Sequence, residues 1–151
     1  MADLIQIEEL RTYLVDQGIV QLPADTGDLP ICYLQPRDGA PQVDTDTRRT
    51  TITLSQVDYV PRKPLEEWLE EVVIEVKVRS YQPPAGYLLH RQIRELLDGA
   101  QLVTVGDLLC EWIRLWRGTR PVDSDKNSIT TASSYRIAAR SKSLAGLPYA
   151  P

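Results

Sequence analysis

The sequence predicts an α+β domain: a single mixed or antiparallel β-sheet with two helices packed on it, long loops and a C-terminal arm. Three observations predict it. From Val72 to Ser80 apolar residues alternate with charged ones, so Val72, Ile74, Val76 and Val78 share one face and Glu75, Lys77 and Arg79 the other. After Pro83 and Pro84 the period changes, and Leu89, Ile93, Leu96 and Leu97 recur at helical spacing. A strand buried on one face beside a helix apolar on one face implies a helix lying on a sheet. Third, the chain opens with a comparable amphipathic run, residues 3 to 17, with Ile7, Leu10 and Leu14 on one side and Tyr13 beside them.

The elements follow in order. Asp3 can cap the first helix and Gly18 ends it. Residues 20 to 29 contain Pro23, Asp25, Gly27 and Asp28 and read as a loop. Residues 31 to 36 form a short strand, followed by the polar stretch 37 to 49 with no apolar pattern. Residues 50 to 57 are rich in β-branched side chains, with Ile52 and Leu54 alternating against polar neighbours, and form a strand. The piece 58 to 71 contains Pro61, Pro64 and the acidic amphipathic run PLEEWLEE, and that run reads as a turn of helix or an irregular connection before the central strand. Prolines 83 and 84 stop that strand and are tolerated in the first turn of the helix that follows, while Gly99 stands at a C-cap.

Leu102 to Val105 is largely apolar, and Gly106-Asp107 is a break. The run 108 to 118 fits both periods. Strand spacing puts Cys110, Trp112, Arg114 and Trp116 on one face; helical spacing groups Leu108, Leu109, Trp112, Ile113 and Trp116. Bracketing by Gly106 and Gly118 favours a strand. TRPVDSDKNS then reads as a polar loop, and residues 131 to 140 as a last strand with Tyr135, Ile137 and Ala139 on one face. The domain is expected over residues 1–140, with residues 141–151 as an extended arm.

Composition narrows function. A net charge of −4, from 17 basic and 21 acidic side chains, argues against nonspecific nucleic-acid binding as the main role. No apolar run approaches the ~18 residues of a membrane span. The acidic start MADLIQIEEL is unlike a secretory signal, which points to synthesis and use on the cytosolic side. Cys32 and Cys110, far apart in apolar stretches, read as buried free thiols.

Candidate chemical sites are weak. His90, the single histidine, has no nucleophile motif or metal-ligand partner beside it and reads as a partly exposed helix residue. DSDKNS places Asp123, Asp125 and Asn127 like the start of a calcium loop. However, Ser128 replaces the turn glycine and Ser134 the twelfth-position glutamate, so a solvated loop is the reading. Glu66, Glu67, Glu70 and Glu71 lie in an acidic run and read as a solvated face. Phosphate-loop and CxxC spacings do not occur. A binding or structural role is therefore expected over an enzyme, with no catalytic residue, metal or cofactor.

Several segments in sequence order are similar to a known family: IEELRTYLVDQG, LPICYLQPRDGAP, VVIEVKVRSYQPPAGYLLHRQIRELLDG, TVGDLLCEWI, GTRPVDSD and SSYRIAAR. In their order and spacing the chain resembles the tail terminator proteins (tail-completion or minor capsid proteins) of long-tailed bacteriophages, especially those infecting actinobacteria. The Trp112 to Trp116 run and the PLEEWLEE insertion depart from that pattern. The resemblance implies an α+β, non-enzymatic virion protein at the head–tail junction, assembled in the host cytoplasm. It implies a homohexameric ring that caps the tail tube protein and meets neck or connector proteins, with DNA passing through the lumen unread and no membrane contact. A head-completion or neck adaptor protein of the same junction is the alternative. Self-contacts that close a ring are expected on the polar loop, at Arg37, Asp38, Asp44, Asp46, Arg48 and Arg49, and on the arm, at Leu144, Leu147 and Tyr149.

Overall fold

The computed structural model describes residues 7–35, 49–61, 70–105, 108–124 and 128–141. It has the α+β architecture expected: helices α1 (Ile7–Asp16) and α2 (Pro83–Leu97), and strands β1 (Ile31–Gln35), β2 (Thr51–Pro61), β3 (Glu70–Ser80), β4 (Gln101–Val105), β5 (Leu108–Ser124) and β6 (Ile129–Ser141). The strands form one sheet in the order β1-β2-β3-β6-β5-β4. Among the described strands β1 and β2 pair in parallel and the other neighbours antiparallel; an isolated parallel bridge joins Gln21 to Ile31.

The alternation in β3 does what its pattern requires. Val72, Ile74, Val76 and Val78 are fully buried and share one cluster with Leu89, Ile93 and Leu97 of α2 and Leu10 and Leu14 of α1. Both helices therefore cover the same face of the sheet. Gly18 and Gly99, at φ 75° and 84°, supply the left-handed turns that end the helices. Helix α2 packs on β3, β5 and β6, whereas α1 touches β1, β2 and β4.

The contacts of α1 fix the shape of the sheet. Strands β1 and β4 are its two edges, and in a flat six-stranded sheet they would lie about 24 Å apart. Helix α1 nevertheless touches both edge strands, so the sheet is curved toward it. Arg11 of α1 donates from Nη1 to the Cys32 carbonyl of β1 at 3.3 Å.

Several expectations need correction. Strand β2 continues across a bulge between Gln56 and Asp58 to Pro61, past its expected end at Val57. Residues 101 to 105 are a strand, not merely an apolar stretch. The ambiguous run is a strand, as favoured, but it extends to Ser124 because β6 pairs with it throughout. The polar residues 119 to 124 are thus ladder, not loop; bulges take up the irregular positions around Gly118 and Pro121. A further irregularity between Cys110 and Trp112 changes sides. Cys110 joins the core, while Trp112 pairs across from Ala138 on the opposite face, so the two do not share a face as simple alternation predicted. Ser141, expected in the arm, belongs to β6, and residues 142–151 lie outside the described residues. The Asp3 cap, Gly106-Asp107 and most of PLEEWLEE lie outside the described residues.

Candidate interaction surfaces

His90 is 2% exposed, contrary to the expectation of a partly exposed residue. Its Nδ1 lies 3.0 Å from Ser133 Oγ and its Nε2 2.9 Å from Thr131 Oγ1, both hydroxyls on β6. The neutral ring donates through one nitrogen and accepts through the other, so it satisfies two buried hydroxyls and ties α2 to the sheet. Burial lowers its pKa from 6.5, and the Thr131 backbone, by hydrogen bonding, opposes that shift. Ser133 is 1% exposed, so this serine–histidine pair is sealed from any substrate.

The four acids do not behave as one solvated run. Glu71 is 3% exposed and forms an ion pair with Arg136 of β6. Glu66 and Glu67 lie outside the described residues, and Glu70 begins β3. Of the calcium-loop candidates, Asp123 lies in β5, Ser128 is buried beside Arg79 and Ser134 pairs within β6–β5. Asp125 and Asn127 fall outside the described residues. No group of His, Cys, Asp and Glu that could hold a metal occurs among the described residues. Cys32 and Cys110 are buried free thiols.

The sheet face away from the helices carries a set of stacked cations. Register places Trp112, Arg114, Arg117 and Arg120 of β5 beside Arg136 of β6 and Lys77 of β3. The Arg136 guanidinium lies 4.5 Å over the Trp116 ring, and that of Arg114 lies 4.8 Å over Trp112. Arg120 and Lys77 reach Glu75 at 3.5 and 3.6 Å. Trp116 remains 51% exposed. Large flat side chains held by stacking lose little freedom on contact, which suits them to a protein interface.

On the helix side lies a groove of about 410 Å³ between the end of α1 and the first half of α2. Ile19, Leu29, Pro30, Ala85 and Leu88 give it an apolar lining, and Leu29 and Leu88 are exposed. The 22–29 loop is held to the domain by Gln21, whose Nε2 donates to the Asp25 carbonyl and whose Oε1 accepts from the Leu29 amide. Two exposed acids stand next to lining residues in the chain: Asp16 precedes Gln17, and Asp28 precedes Leu29.

Of the expected interface residues, Arg49 alone is described; it lies 3.8 Å from the fully exposed carboxylate of Asp28. Arg37, Asp38, Asp44, Asp46, Arg48, Leu144, Leu147 and Tyr149 lie outside the described residues. Sequence reading missed both the groove and the stacked cations, because each depends on pairing or on tertiary contacts.

No protein-family model matches the chain, and no curated protein matches it. No helix among the described residues is long and apolar enough to cross a membrane.

Proposed function

We propose that the protein is a structural subunit of the tail-terminator kind, closing into a ring of six at the end of a phage tail tube and meeting the neck on its other side. The single observation that carries this reading is the sheet face left uncovered by the helices, with half-exposed Trp116 among stacked arginines. Tryptophan and arginine dominate the energetics of protein contacts, and a face that presents them in fixed geometry is suited to burial against protein. The segments that carry the family resemblance also fall largely on framework elements: α1, β1, β3–α2, β4–β5 and β6.

The test is the mass of the purified protein in solution, followed by binding to polymerised tail tubes and to portal-bearing heads. Six-subunit rings that bind tube ends are expected. A monomer that binds neither overturns the reading. Binding to portals alone reassigns the protein to head completion or the neck.

A further inference from the structure

We propose that Trp116 of one subunit seats in the Leu29–Leu88 groove of the next copy of this chain, with Arg114 and Arg117 reaching the acids at its rim. This rests on the ring reading and names the contact that would build the ring.

The two surfaces are opposite in kind: an exposed aromatic ring with cations beside it, and an apolar groove with acids next to its lining residues in the chain. The knob is an exposed aromatic ring next to Arg117 and two residues from Arg114, both exposed. The socket is an apolar groove of about 410 Å³, within the range of sites that enclose an aromatic group. Leu88 stands 55% exposed at its wall.

The rim favours a cationic visitor. Asp16 closes the last turn of α1, and that turn holds no basic residue. A carboxylate there adds to the negative end of the helix macrodipole, an unfavourable placement that an arginine from outside would relieve. Asp28 is fully exposed and only loosely approached by Arg49.

Topology decides between self-contact and exchange. Trp116 points from the outer face of the sheet, on the side of Arg136, whereas the groove lies among the helices on the inner face. A subunit cannot fold its own Trp116 into its own groove without crossing the sheet. Knob and socket are different patches on opposite sides, so the contact is heterologous, and repeating it generates a ring when the rotation closes. A single-stranded nucleic acid stacking on Trp116 is the competing occupant. The carboxylates of Glu71 and Glu75 within the cationic set, and the net charge of −4, disfavour it.

The experiment uses two full-length variants, Trp116→Ala and Leu88→Glu. Leu88 is half exposed, so Leu88→Glu is expected to keep the wild-type melting temperature; Trp116→Ala loses the stack with Arg136 and is expected to melt somewhat lower while remaining folded at the temperature of the measurement. Each alone is expected to weaken self-association by about 30-fold or more, the loss typical of an aromatic anchor and its pocket. Mixed, they retain one intact knob and one intact socket, so sedimentation is expected to show a one-to-one heterodimer. If the wild type forms rings and both variants do too, this contact is wrong and the ring reading stands. If the wild type is monomeric, both fail. Quenching of Trp116 by a single-stranded oligonucleotide, with no heterodimer in the mixture, also overturns the proposal.

Discussion

His90 of α2 and Ser133 of β6 meet across the core through a 3.0 Å hydrogen bond between Nδ1 and Oγ. With Thr131 on the other ring nitrogen, the imidazole is held neutral. Its folded pKa is lowered from 6.5 chiefly by burial, so below that pH the unfolded chain binds the extra proton more readily. The contribution is complete above about pH 6.5 and is lost as pH falls through the lowered folded value. His90→Gln, which can still hydrogen-bond but does not titrate, is expected to flatten the fall in melting temperature between neutral and mildly acid pH. His90→Leu is expected to cost about 1–3 kcal/mol through the hydroxyls it leaves buried. An unchanged pH profile in the glutamine variant would refute the assignment.

Glu71 is nearly inaccessible, while its partner Arg136 is about a third exposed. Removing the arginine leaves a carboxylate in a site that water hardly reaches. Arg136→Ala is therefore expected to destabilise the fold, by less than the ~3–5 kcal/mol of a fully buried pair because solvent screens the guanidinium. Glu71→Gln in the same background should recover part of the loss. Chemical denaturation of the two single variants and the double variant measures the coupling. Additive losses would mean that the pair does not act as one unit.

The unevenness of what the sequence revealed has a physical origin. Strand β3 and helix α2 were legible because a buried face imposes period 2 or 3.6 on the side chains, and the valines and leucines there obey it. His90 carried a readable signal that was passed over: it lies three residues before Ile93 and seven before Leu97, on the same helical stripe. Glu71 was not legible, because its partner comes from β6 and only the pairing of β3 with β6 brings them together. The strand character of residues 119 to 124 likewise comes from backbone pairing with β6, against local composition. A bulge also leaves no periodic trace, which is why Cys110 and Trp112 were assigned to one face. The groove joins residues from the end of α1, the 29–30 turn and α2, and no local pattern encodes that meeting.

The shared core of β3 and α2 has a direct test. Ile93 is fully buried against the β3 valines, so Ile93→Asp places an unpaired charge where water does not reach and is expected to unfold the domain. The two cysteines provide the readout. Burial, with a smaller contribution from Glu9, pushes the Cys110 thiol up to about 12, and Cys32 is fully buried. Neither is expected to react with a thiol reagent at neutral pH in the native protein, and both should react rapidly in the Ile93→Asp variant. Slow labelling of that variant, with an unchanged melting temperature, would mean that α2 does not pack on the sheet.

Arg49 tests whether the groove rim is a seat for cations. Its 3.8 Å approach to an exposed carboxylate adds little to folding, but Arg49 is only about a quarter exposed, so Arg49→Glu is expected to lower the melting temperature of the isolated subunit modestly while leaving it folded. The substitution changes the field at the groove, since Thr50 beside it lines the wall. If Arg114 and Arg117 of a neighbour dock there, a cation that opposed them becomes an anion that attracts them. Self-association is then expected to tighten at low salt and to converge on the wild type at high salt, where a Debye length of a few ångströms hides the change. Sedimentation of both proteins across a salt series measures this. Weaker association of the variant at low salt would show that Arg49 itself grips an acid of the neighbour, and that the β5 arginines are not seated at this rim.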